Sequence, residues 1–95
     1  MIYHLVSMIE WNDKGDQYSP ASLKSEGFIH FSTKEQVDAT YERFYKPQEM
    51  YLLEVDESIL KHKLIYEEAD GDSYPHLYGP LNLDAVVRVV NYPNA

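Results

Sequence analysis

Apolar residues run almost unbroken from Ile2 to Met8, which predicts a first strand able to sit centrally in a sheet. Asn12 to Gln17 is polar, contains Gly15 and reads as a loop. Ser19-Pro20 predicts a helix start, with Ser19 as N-cap and Pro20 at the first helical position, and Gly27 predicts its stop. Phe28 to Ser32 predicts the second strand. Thr33 and Gln36 have the T-x-x-Q spacing of a capping box, opening a helix through about Tyr45 whose Val37, Tyr41, Phe44 and Tyr45 share one face. Lys46-Pro47 ends it. Met50 to Val55 reads as a third strand and Asp56 to Leu60 as a single helical turn. Lys63 to Glu67 alternates, with Leu64 and Tyr66 on one face and Ile65 and Glu67 on the other. Ala69 to Pro80 holds Gly71, Pro75, Gly79 and Pro80 and reads as a long loop; Val86 to Val90 is a last, β-branched strand. The mixed order predicts an α+β fold, a small curved and mainly antiparallel sheet with one main helix.

Composition narrows the function classes. A chain of 95 residues is expected to form one domain, 1–95, with room for one modest core and one cleft. The 16 acidic residues outnumber the 8 basic ones, for a net charge of −8. The basic residues are scattered and never form a block, which disfavours a phosphate backbone or an anionic membrane surface as partner. There is no cysteine, so disulfides, thiol nucleophiles and zinc–thiolate sites are excluded. The first residues lack the pattern of a signal peptide and no long apolar stretch follows, so the expectation is a cytoplasmic protein with no membrane span. Oligomeric state is left open.

Two runs carry the candidate chemistry. Gly27-Phe28-Ile29-His30-Phe31-Ser32-Thr33 sets an imidazole and two hydroxyls inside an aromatic strand. An unpaired buried polar group costs about 1–3 kcal/mol, so these groups need partners. Tyr74-Pro75-His76-Leu77-Tyr78-Gly79-Pro80 again sets a histidine among aromatics. With His4 and Glu67 they predict one polar, histidine-rich cleft lined by His4, His30, Ser32, Glu67, His76 and Tyr78. Plainer readings stand beside this one: His4 as a core histidine bonded to backbone, His30 and Ser32 as the solvated face of an amphipathic strand, Glu67 as a surface acid, and His76 as a loop latch. His4, His30, His76 and Glu67 are four nitrogen or oxygen donors, but no H-x-x-x-H or H-E-x-x-H spacing is present and no metal site is assigned. Ser32 lacks a G-x-S-x-G elbow, and no G-x-G-x-x-G or P-loop occurs.

Ile2-Tyr3-His4, Trp11, Tyr18-Ser19-Pro20-Ala21-Ser22-Leu23, Glu26 to Ser32 with Gln36, Leu52-Leu53, Tyr66-Glu67 and Pro75 to Leu81 together resemble the family called Domain of Unknown Function 952. The resemblance runs from residue 2 to about residue 90. It implies a fold similar to the ADP-ribosyltransferase superfamily and a small-molecule ligand of the NAD-like or nucleotide-sugar type; the cofactor is left open, an NAD-like nucleotide being one candidate. By position it implies that His4 holds a ribose, that His30 to Ser32 supplies the second-strand contact, and that Glu67 stabilises an oxocarbenium-like transition state. His4 and Glu67 are then the catalytic pair, while His30, Ser32, His76 and Tyr78 bind the ligand. The chain departs from the RNA 2′-phosphotransferase branch in having only two arginines, Arg43 and Arg88. Two alternatives stay open: a non-catalytic module for a small anionic metabolite, and a metal-assisted hydrolase.

Overall fold

The computed structural model describes residues 1–93. Its elements in chain order are β1 (Ile2–Ser7), α1 (Met8–Asn12), β2 (Gln17–Tyr18), α2 (Ala21–Glu26), β3 (Ile29–His30), α3 (Val37–Phe44), β4 (Met50–Val55), β5 (Lys63–Ala69), β6 (Asp72–Tyr78), β7 (Leu81–Asn82) and β8 (Val86–Tyr92). Short 3-10 turns precede α3, follow β4 and precede β8. The α+β class and the main helix agree with the sequence. The single curved sheet does not: the strands form three antiparallel sheets, ordered β1-β4-β8, β2-β7 and β3-β6-β5. β4, not β1, is central in the first of these, and β1 reaches beyond it only through an isolated bridge between Tyr3 and Ser32.

The apolar pattern explains this layering. On β1, Ile2 and Val6 face the main core, which also takes Ile29, Phe31, Leu53 and Leu77, all fully buried or nearly so. Burying each such side chain contributes about 1.5–3 kcal/mol. Leu5 on the opposite face packs with Val37, Tyr41 and Met50 under α3. Sheet β1-β4-β8 therefore lies between α3 and the rest of the molecule. Phe44, the last residue of α3 and expected on its buried face, is 58% exposed.

Three local signals were misread. Ser7-Met8-Ile9-Glu10 has capping-box spacing and starts α1: the Ser7 side chain accepts from the Glu10 amide at 3.1 Å. The Glu10 carboxylate accepts instead from the Ala21 amide at 3.2 Å, so Glu10, not Ser19, caps α2. Gly27 does stop α2, at φ +87°.

The third correction matters most. Ala69 to Pro80 is not a loop but the turn and second strand of a hairpin. Asp70 and Gly71 both have positive φ, 52° and 83°, the two-residue turn that D-G pairs favour. Register runs from Lys63 opposite Tyr78 to Ala69 opposite Asp72. Pro75 is tolerated in this strand although it lacks an N–H. Its carbonyl accepts from the Phe31 amide at 2.8 Å. In an antiparallel strand a residue's nitrogen and carbonyl point the same way, so the missing donor faces β3 where that two-pair ladder ends.

Candidate functional site

Strand alternation sorts the β3-β6-β5 sheet into two faces. Ile29, Leu77 and Pro75 point into the core. The opposite face carries Phe28 and His30, then Tyr74, His76 and Tyr78, then Glu67. His30 sits directly across from His76, and Glu67 across from Tyr74.

These residues bond one another in a line. His76 Nδ1 lies 2.8 Å from Glu67 Oε1, and its Nε2 lies 3.2 Å from His30 Nδ1. Tyr78 donates to the same Glu67 oxygen at 2.5 Å. A carboxylate only accepts, so His76 carries its proton on Nδ1. With both imidazoles neutral, His76 Nε2 then accepts from His30 Nδ1–H, and the lone pair of His30 Nε2 is left over. No buried side-chain nitrogen or oxygen among the described residues lacks a partner, so His30 Nε2, which has none within the protein, reaches solvent. Phe28 stacks flat on His76, with centroids 4.0 Å apart and planes at 16°, and Tyr74 lies against His30 at 5.0 Å.

Electrostatics suit this direction. Hydrogen bonds from Tyr78 and then His76 hold the Glu67 carboxyl below its ordinary pKa, while Glu67 raises the Tyr78 phenol. Burial, with His76 beside it, pushes His30 down to about 4 against a smaller opposing pull from Asp70. His30 is thus neutral at neutral pH, a lone-pair donor and not a cation.

The other expected site residues lie elsewhere. His4 is buried on the core face of β1, where Nδ1–H donates to the His30 carbonyl at 2.6 Å and Nε2 accepts from the Tyr18 hydroxyl at 2.8 Å. Both nitrogens are engaged inside the protein, so His4 has no group to offer a ribose; it holds the His30 peptide. Burial drives its pKa to about 4. Ser32 is bonded to Thr40 of α3 at 3.2 Å and takes no part in the line. Of the three histidines only His30 and His76 meet ring to ring, on the outer sheet face, while His4 touches the His30 backbone from the core side. Three cavities of about 270, 350 and 640 Å³ are lined by other residues, except that His4 borders the second. Among the described residues no three metal-ligating side chains are grouped as a metal ion would require.

A family model described as a protein of unknown function, DUF952, matches residues 5–89. The chain belongs to this family. Its fold is similar to two crystal structures of protein CC0527 from Caulobacter crescentus, one the unaltered protein and one a double mutant. They are 32% and 30% identical to it, each with a TM-score of 0.86 over 95% of this chain and 83% of that one. No curated protein matches the chain. Among the described residues of this DUF952 chain no helix is long and apolar enough to cross a membrane.

Sequence reasoning missed Phe28, Tyr74, Tyr18 and Gln36 as site supports. Phe28 and Tyr74 were findable, since each is two residues from a histidine already singled out. Gln36 was read only as a cap. It does cap, accepting from the Thr33 amide at 2.9 Å, but its amide also donates to Asp72 at 2.9 Å and to the Ser73 carbonyl at 2.8 Å. It thereby pins the hairpin that carries Glu67 and His76 to the start of α3.

Proposed function

We propose that this domain is a small enzyme that acts on an NAD-like or other nucleotide-sugar ligand, using His30 Nε2 as proton acceptor. The observation that carries the reading is the line Glu67–His76–His30 with its accessible, neutral terminal nitrogen. Burial and the neighbouring His76 disfavour charge on the resting His30 imidazole, so a proton taken up at Nε2 is held only briefly and passes on, with the Glu67 carboxylate behind His76 as the anion of the line. Glu67 Oε1 accepts from both His76 and Tyr78, leaving Oε2 to face a cationic sugar. Phe28, Tyr74 and Tyr78 give the face aromatic surface on which a base can stack. The substrate class rests on the family resemblance drawn from the motifs. The anion-binding module, through neutral or protonated histidines, is less favoured because the accessible His30 Nε2 presents a lone pair and not an N–H. A metal-assisted hydrolase finds no grouped donor set among the described residues.

The test is calorimetric titration of the protein and of Glu67→Gln with NAD⁺ and ADP-ribose, followed by a nicotinamide-release assay. Gln keeps the shape and an acceptor but removes the charge. Both proteins are expected to bind, with turnover lower in the variant by about 10²–10³-fold. Absence of binding by the unaltered protein would remove the nucleotide reading. Binding without release would leave a non-catalytic module, with Glu67 a structural acceptor.

A further inference from the structure

Beyond His4, on the side of Tyr18, lies a cavity of about 350 Å³ between β1, the start of α2 and the C-terminal end of α3. Leu5, Val6, Pro20 and Met50 give it apolar surface, and Phe44 and Tyr45 form an aromatic wall. Glu10 is the one charged side chain among its lining residues. A smaller cavity of about 270 Å³ adjoins it through the shared Glu10, Tyr18 and Pro20.

We propose that this cavity binds an organic ammonium, a primary amine carried on an apolar or aromatic body. The inference is independent of the outer-face site. Glu10 Oε2 already accepts from the Ala21 amide, so an incoming anion would find that N–H taken and meet a carboxylate. An ammonium meets the same carboxylate as counter-ion. The rings of Phe44 and Tyr45, 6.2 Å apart and inclined at 59°, offer it π-faces. Arg43 lies over Phe44 at 5.8 Å, but its guanidinium is held by Asp70 at 3.2 Å. The end of α3 bordering the cavity is the negative end of its dipole. Glu10 and Glu26 add to burial in raising the Tyr45 phenol, which marks the negative potential there. The net charge of −8 draws cations to the surface as a whole.

The test compares 3-phenylpropylammonium with its neutral isostere 3-phenylpropanol by amide chemical-shift titration of the labelled protein. The amine is expected to give saturable shifts at Glu10, Phe44 and Tyr45 and to bind about fivefold or more tighter than the alcohol. Glu10→Gln, whose side-chain oxygen still accepts from Ala21, should erase that preference. Phe44→Ala, at an exposed position, should weaken the amine several-fold without loss of fold. Equal binding of amine and alcohol, a preference that survives Glu10→Gln, or no saturable shift at millimolar amine would each overturn the proposal. If Glu10→Gln fails to fold, the comparison of the two ligands on the unaltered chain, with Phe44→Ala, decides it.

Discussion

Acid should destabilise this protein through His4 as the pH falls from 6.5 toward 4. His4 is buried with both ring nitrogens bonded, and burial lowers its pKa from 6.5 to about 4. Between those values the unfolded chain binds a proton at this position that the folded chain refuses. Stability therefore rises with pH in that window: the contribution is complete above 6.5 and is lost as the pH falls toward 4. At 1.36 kcal/mol per pH unit the full span is worth about 3 kcal/mol, a large share of a total that for small domains is about 5–15 kcal/mol. His4→Gln isolates the effect, because Gln keeps an N–H for the His30 carbonyl and does not titrate. Urea unfolding, followed through the fluorescence of buried Trp11, should be measured on both proteins from about pH 7 to about pH 4. His30 titrates in the same window and is present in both proteins, so the difference reports His4 together with its smaller coulombic coupling to His30. The gap between the proteins should shrink by about 3 kcal/mol as the pH falls. Curves that stay parallel across the window would show that His4 is solvated or already protonated in the fold, and the reasoning would fail.

Three further outcomes follow from the same geometry. Tyr18→Phe leaves the buried Nε2 of His4 without a donor and should cost about 1–3 kcal/mol in urea unfolding, while Tyr78→Phe, at an exposed site, should cost far less. Gln36→Ala removes the tether between α3 and the hairpin, and proteolysis near Asp72 and Ser73 should speed up while the β1-β4-β8 sheet keeps its protection from hydrogen exchange; unchanged cleavage would mean that the tether is idle. Gly27→Ala should lower stability by about 1 kcal/mol, because the strain is in the φ of +87° and no neighbour lies within 4 Å of the added methyl; a loss of several kcal/mol would point to a clash instead.

Much of the fold was legible in the chain. Val37 and Tyr41 at helical spacing, Met50 to Val55 as a strand and Gly27 as a stop all reflect local rules that the structure obeys. The hairpin was not read, because Pro75 and the glycines outweighed Asp70-Gly71. A proline is compatible with a strand only if its missing donor faces the unpaired end of a ladder, and that depends on where β3 lies. The site was legible to the same depth. Alternation put His30 and Glu67 on definable faces, but His4 and His30 have the same look in sequence, a histidine among apolar neighbours. What separates them is that the His4 ring turns into the core and meets Tyr18, a contact made fourteen positions along the chain.

The ladder between β3 and β6 has only two residue pairs, and one of them is His30 with His76. Glu67 and His76, by contrast, belong to one hairpin and sit nine positions apart, while His30 must return across forty-six. Short-range contacts close at little cost in chain entropy, long-range ones at more. Folding should therefore build the carboxylate–imidazole half early and add the terminal imidazole late, across a narrow seam. The same seam should open first in the native state, so that His30 detaches in brief excursions during which the rest of the domain stays intact. Native-state hydrogen exchange reads this directly: the Phe31 amide, which crosses the seam to Pro75, should exchange faster than the β5–β6 amides. Equal protection on both sides would mean that the domain opens only as a whole.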